Sequence, residues 1–407
     1  MAAWQQWSVR LVLFFMLASL GADAQAQGSR RGRRNVSGGK ARVYIGTYTG
    51  GKSQGIYRSE LDLETGEMSP VELAAELENP SFLAIAPGNE YLYSVSELEE
   101  YDGQPGGGVA SFKIDPDGGL TKLNEQPTDG GAPCYVAIDH TGRTLFCANY
   151  SGGSLTVAPI KKDGTIAVPL PVIKHEGSSA DPNRQSGPHA HSVTIDESNR
   201  IVVVADLGLD KLMIYLFSPK FGAVGPHELQ PEVDLAPGAG PRHFAFHPSG
   251  NHAYVINELD STITALAYDG KEGTFRKLDT VSTLPKGGHE GNSTADIHVH
   301  PNGKWLYGSN RGHDSIAMFS VEKGTGKLTA MGHEKTGGKT PRNFAIDPTG
   351  RFLLAENQDS DTIRVFKIDQ ETGKLTATGQ DLEVPSPVCI QMFPIDGASG
   401  KLRLPGR

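Results

Sequence analysis

The chain has 407 residues, a formal net charge of −9, 37% apolar and 21% charged residues. That is an ordinary globular composition, and the acidic balance argues against a nucleic-acid partner, which requires a basic face. The 50 glycines and 26 prolines call for many tight turns, and so many short strands, without reaching low complexity.

In chain order, Arg10 precedes an apolar run at 11–20, and small-residue cleavage sites follow after Ala24 or Ala26. This pattern reads as a signal peptide over 1–26. The run is too short to cross a bilayer, which takes about 20 apolar residues, and no second run of spanning length follows it. The expectation is an exported protein, periplasmic or extracellular, with no stable membrane insertion. Residues 27–40 are basic, rich in Gly and Ser, and aperiodic, so they read as a flexible leader.

From residue 41 the chain repeats itself. GPRHFAFHPSGNHAYVINELDSTITAL (240–266) recurs at 340–366 and 293–319, and more weakly at 132–157, 187–215 and 79–97. The turn residues Asn89, Gly142, Asn199, Gly250, Gly303 and Gly350 lie 53, 57, 51, 53 and 47 residues apart. A period near 50 in strand-rich sequence indicates propeller blades of four strands. Each unit has two alternating runs around an Asp-Pro-x-Gly turn, a third run, and a fourth after a Thr-Gly-x-Leu turn. No segment has sustained helical spacing. Six units carry their own first strand. SPVCIQMF (386–393) is a first strand without a second, and ARVYIGTYTGG (41–51) a second without a first. Joining them removes two exposed edges. The expected fold is all-β: a seven-bladed β-propeller over 41–397, its last blade closed by both chain ends, with a tail at 398–407.

Equivalent residues of the repeats sit at equivalent places around a propeller axis, so columns that vary among blades are informative. At the start of the first strand one column reads Ser81, Cys134, His191, Arg242, Ala295, Arg342, Val388, and the next Phe82, Tyr135, Ser192, His243, Asp296, Asn343, Cys389. At the end of the second strand, Tyr48, Ser96, Asn149, Asp206, Asn257, Asn310 and Asn357 form a column that reads as structural, with short polar side chains binding turns. The column after it is Thr49, Glu97, Tyr150, Leu207, Glu258, Arg311, Gln358. Packing alone does not require His191, Arg242, His243, Glu258, Asp296, Arg311 and Arg342 in these columns. On one face they make a site for an anionic substrate with an acid/base pair beside it, as against a self-neutralised rim.

Other signals are weaker. The pairs His189/His191 and His298/His300 place imidazoles on one strand face, but no carboxylate or Cys has ligand spacing, and neither metal nor cofactor is expected. Cys134, Cys147 and Cys389 sit in apolar runs and read as buried free thiols. Gly106-Gly107-Gly108 reads as a hairpin tip, Ser320-Val321-Glu322-Lys323 as a chance match on a strand edge, and Asp115-Pro116-Asp117-Gly118 as a turn rather than a calcium loop.

The motifs HSVTID (191–196), GAGPRHFAFHP (238–248), VINEL (255–259), ADIHVHP (295–301), SNRGHDS (309–315) and TPRNFAIDPTG (340–350) resemble the propeller-type lactonase family. That family includes bacterial 6-phosphogluconolactonases and is similar to fungal carboxymuconate lactonizing enzymes. The resemblance covers about residues 41–395. It implies seven blades, no metal, a small-molecule lactone substrate, His191 and Glu258 as the acid/base pair, and Arg242 and Arg311 holding the anion. His243, Asp296, His298 and Arg342 follow as supporting, substrate-binding residues. In the implied mechanism, Glu258 or His191 activates water against the ring carbonyl, an arginine stabilises the oxyanion, and the protonated partner donates to the departing ring oxygen. Which of the two is the base stays open. Export sits uneasily with a sugar phosphate, so three readings stand: hydrolysis of an anionic sugar-derived lactone, muconate-type ring closure or opening, or a non-catalytic propeller binding carbohydrate or protein. A monomer is the default for a closed propeller.

Overall fold

Alternating runs bounded by Gly, Asn and Asp turns fold here into four-stranded antiparallel sheets, as their period dictates. The computed structural model describes residues 39–395 and arranges seven such sheets in a ring, one of them (190–234) with a fifth short strand, Glu232–Asp234. The expected signal peptide, the leader through residue 38 and the tail lie outside the described residues.

Blades 1 to 6 span 83–127, 133–174, 190–234, 241–282, 293–335 and 341–383. Blade 7 is shared between the two ends of the chain. Pro387–Ile395 is its innermost strand, followed outward by Lys40–Thr47, Gly55–Asp62 and Glu72–Glu76. The inner strand of each blade packs on the next, and the ring closes from blade 7 onto blade 1. The first strand begins at Lys40, one residue ahead of the expected boundary, within the usual scatter of strand ends. Among the described residues the helical content is one 3-10 turn, Gln358–Ser360.

The core lies between the blades. Val255 and Leu266 of blade 4 pack against Ile201 and Val203 of blade 3, and Tyr254 and Ile256 of blade 4 against Ile297 and Leu306 of blade 5. One repeated polar contact staples neighbours together. Four fully buried tyrosines at the same place in their second strands, Tyr44, Tyr93, Tyr254 and Tyr307, donate to the carbonyls of Gly118, Gly164, Gly326 and Gly373 in the following blade, at 2.7–3.1 Å. Each such bond contributes roughly 1 kcal/mol, and burial raises these phenols, Tyr44 to about 12.

Local departures from the repeat have local reasons. Blade 1 carries an inserted hairpin whose arms are Glu100–Tyr101 and Gln104–Pro105, so its tip is Asp102-Gly103 and not the expected triple glycine. Gly107 instead marks a close approach: a Cβ there would lie 2.2 Å from Pro133 Cδ. Ser320 lies on a strand, Ser315–Val321.

Candidate active site

Blades 2 to 7 each carry a β-bulge near the start of the inner strand. Pairing runs from Pro133 to Tyr135, Ala190 to Ser192, Pro241 to His243 and Pro341 to Asn343, leaving Cys134, His191, Arg242 and Arg342 out of register. A bulge re-aims its extra residue, and here it turns that column into one cup. Blade 5 slips between Thr294 and Ile297, and blade 7 passes over Val388. The cup is narrow and partly open to solvent, and is lined by Tyr48, Ser81, Phe82, Glu97, Cys134, His191, Arg242, His243, Arg342 and Val388. Its floor is aromatic. Phe82 stacks on Tyr135 with ring centres 3.9 Å apart, and both meet His243 edge-on at 5.9 and 5.3 Å.

Glu258 gathers the arginines. Its Oε2 accepts from Arg242 Nε at 3.0 Å and pairs with Arg311 at 2.9 Å, while its Oε1 accepts from Arg184 at 2.7 Å. Burial alone raises this carboxyl, but Arg311, Arg242, His191 and Arg184 outweigh it and hold Glu258 well below the usual range. With both oxygens taken, it is a fixed anion among three cations. Burial, with Arg311 and Arg342, lowers Arg242 to about 10, so it stays charged at neutral pH.

Beneath Arg242 runs a second network. His243 Nδ1 donates to Asp296 at 2.7 Å while its Nε2 accepts from Arg242 at 3.1 Å. Burial and Arg242 bring His243 down to about 4, so both its nitrogens are occupied and its ring is neutral. Asp296 also accepts from His298 at 2.9 Å and Asn343 at 2.6 Å. Burial raises its carboxyl and the two histidines overcome that, holding it well below the ordinary value. His298 is raised through the same pairing, against the effect of burial.

His191 differs from all of these. It is buried, meets Tyr150 and His243 edge-on at 5.4 and 5.5 Å, and has Cys134 Sγ 3.8 Å from Nδ1. No hydrogen bond reaches its Nε2 among the described residues. Burial, Arg242 and His243 hold it well below the ordinary imidazole value, so it is an unprotonated ring with an open nitrogen facing a cationic cup.

The eight residues singled out from sequence therefore divide. Arg242, Arg311 and Glu258 form the charged cluster, His191 and His243 line the cup, and Asp296 supports His243 through one oxygen while the half-exposed His298 holds its other. Arg342 faces blades 7 and 1, stacked 5.3 Å over the Tyr48 ring and donating to its hydroxyl at 2.9 Å. In blade 7 the second-strand columns read from the sequence are one place off, since Thr47 pairs with Pro387 as Asn149 does with Pro133 and Asn257 with Pro241. Thr47 there takes the structural position, bonding Ser53 and Gly55 at 2.6 Å, and Tyr48 the cup position. The asparagine column binds mainly hydroxyls of the third strand: Asn149 holds Ser154 and Thr156, and Asn257 holds Thr262 and Thr264.

Arg184 was not singled out from the sequence. It rides on a strap, residues 175–189, whose two ends both fasten to Asp206: His175 Nδ1 at 2.5 Å and the His189 N–H at 2.7 Å. Buried Gln185 pins the middle, donating to the Leu207 carbonyl at 2.8 Å. A signal was available, since Asp206 is the acid in an otherwise Asn-rich column.

The two HxH pairs do not converge. His189 stacks on Tyr150 and approaches its carbonyl at 3.0 Å, and His300 reaches the Gly350 carbonyl at 2.7 Å. Among the described residues no three His, Cys, Asp or Glu side chains are placed to share a metal ion. The three cysteines are buried and free. A larger groove of about 1060 Å3, open to solvent, passes Glu76, Glu100, Asp102 and Lys122 between blades 7 and 1. It has no His, Cys or Arg in its wall, and so lacks the neutral imidazole and the guanidinium that the cup provides.

Comparison with known proteins converges on this architecture. The family described as "Lactonase, 7-bladed beta-propeller" matches residues 42–392. The 6-phosphogluconolactonase of Bacillus subtilis is 41% identical over 307 residues, covering 74% of this chain and 84% of its own. That of Formosa agariphila is 37% identical over 310 residues, covering 75% and 86%. The structure of the periplasmic gluconolactonase PpgL of Pseudomonas aeruginosa superposes with a TM-score of 0.82 at 33% identity, over 87% of this chain and 99% of that one.

Proposed function

The chain belongs to the seven-bladed β-propeller lactonases, and from that premise we propose that it hydrolyses a sugar-derived lactone to the open hydroxy acid in the cup around His191. The observation that carries this reading is the open Nε2 of a neutral His191 beside Arg242. His191 takes a proton from water as the water oxygen attacks the lactone carbonyl. Arg242, fixed by Glu258 and His243, faces the oxygen on which charge develops. The imidazolium then returns the proton to the ring oxygen as the C–O bond breaks, releasing the hydroxy acid. Glu258, with both oxygens occupied, organises the arginines, so the base is the histidine. Arg242 and Arg342 in the wall of the cup, with Arg184 and Arg311 beside it, outnumber Glu97 and Glu258 and leave it cationic, which favours an anionic lactone. The N-terminal pattern and the likeness to a periplasmic enzyme support placing the reaction outside the cytoplasm.

The test follows acid release from fresh 6-phosphogluconolactone and gluconolactone by the mature chain. Saturable hydrolysis above the spontaneous rate, lost in His191→Gln, is the expected result. No acceleration of either lactone would overturn the reading. Because the base must be unprotonated and its pKa is depressed, kcat/KM should stay level as pH falls past the ordinary histidine value of about 6.5, declining only further into acid.

A further inference from the structure

Glu97 occupies in blade 1 the position that Glu258 occupies in blade 4, yet its surroundings are reversed. Its Oε2 accepts from the Tyr48 hydroxyl at 2.9 Å and from the Ser81 hydroxyl by a very short contact. Arg342 donates to the Tyr48 oxygen and stacks on its ring, which turns the tyrosine proton toward Glu97. Among the described residues no ion pair is made to Glu97 and its Oε1 makes no hydrogen bond. The carboxylate lines the same cup as His191 and Arg242. The cup is thus polarised. Guanidinium groups gather about Glu258 on one side, and across from them stands a rigidly held acceptor that Arg342 reaches only through the Tyr48 hydroxyl.

An ionised carboxylate only accepts, and its open oxygen calls for a donor from the ligand. Water, an alcohol or a polyol can supply one; a carboxylate cannot, and is repelled. We propose that Glu97 is the substrate-binding residue that selects polyhydroxylated lactones, its Oε1 accepting from a ring hydroxyl while His191 and Arg242 act on the carbonyl. The proposal rests on the lactonase reading and deepens it. The same carboxylate disfavours a muconate-type lactone, which lacks the hydroxyls and brings further carboxylates.

The experiment compares D-glucono-δ-lactone with δ-valerolactone, the same ring without hydroxyls, as substrate or, where turnover is slow, as competitor. In Glu97→Gln the amide oxygen stays on Tyr48 and Ser81 and an NH2 turns into the cup. Losing a hydrogen bond to a charged acceptor should raise KM for gluconolactone about tenfold or more, with kcat changed little and the constant for valerolactone shifted less than about twofold. Tyr48→Phe, which removes one of the hydroxyls that aim the carboxylate, should move the ratio the same way by a smaller factor. Equal losses on both lactones, or an unchanged KM for gluconolactone in a folded variant, would overturn the assignment. A wild-type chain inert on both lactones would instead remove the lactonase reading beneath it.

Discussion

The two ends of the inner strands are built from the same repeat and obey opposite rules. At the end where the inner strand turns into the second, the repeats agree and consume their own polar groups. Asp139 accepts from the backbone of Thr141, Arg143 and Thr144 at 2.7–2.9 Å, and Asp347 does the same for Thr349, Arg351 and Phe352 at 2.6–2.7 Å. Blades 4 and 5 use His247 and His300 instead, whose Nε2 donates to Gly303 and Gly350 of the next blade. At the cup end the equivalents diverge and hydrogen-bonding capacity remains unspent: His191 Nε2, Glu97 Oε1, and the outer part of Arg184. Repetition with internal satisfaction builds the ring, and divergence with unspent capacity marks the proposed site.

The sharpest way to break that comparison is to exchange the consequences of the two ends. His191→Gln should lower kcat by about 10^2- to 10^4-fold, the range for a lost general base, and leave the melting temperature within a few degrees, since no hydrogen bond to Nε2 is lost. A variant that unfolds with its activity would place His191 among the structural residues. Steady-state kinetics beside a thermal melt decides it.

The reverse pattern is expected at the other end. Asp347→Ala strands three backbone N–H groups of a part-buried turn, which should cost roughly 1–3 kcal/mol with kcat/KM unchanged below the melt. Denaturant unfolding measures the first and the lactonase assay the second. A turn-end variant that lost activity while keeping its stability would blur the division between the ends.

The fold was legible because the repeat is visible at the level of single residues: the Asp-Pro-x-Gly turns, the orphan strands at 41–51 and 386–393, and the varying columns. His191, Arg242 and Arg311 were legible as departures within columns. What escaped was whatever depends on partners far apart in the chain. Tyr48, by contrast, was set one place out of its column by a misalignment that matching Tyr44 to Tyr93, Tyr254 and Tyr307 corrects. Glu97 stood in the right column but was indistinguishable from a solvated acid until Ser81 and Tyr48 were seen to bind it. Glu258 was read as half of an acid/base pair, and only three arginines arriving from separate segments remove its free oxygen. Arg184 lies outside the repeat altogether, on a strap that aligns with no column.

That strap supplies the finest test. Arg184 is 41% exposed at its side chain and holds Glu258 Oε1 and Tyr150 through one nitrogen, Nη2, with no hydrogen bond to its Nε or Nη1 among the described residues. It is the arginine of the cluster best placed to meet a charge at the far end of a substrate, opposite Glu97. Arg184→Ala leaves Arg242 and Arg311 on Glu258, so hydrolysis should persist. Because an exposed charge contact is worth only about 1 kcal/mol, KM for 6-phosphogluconolactone should rise about fivefold while that for gluconolactone hardly moves. Raising the salt concentration should shrink the difference further, since screening acts on exposed pairs. Equal shifts for both lactones would mean that Arg184 serves Glu258 and not the substrate's anion, and that the unspent capacity at this corner of the cup is only solvated.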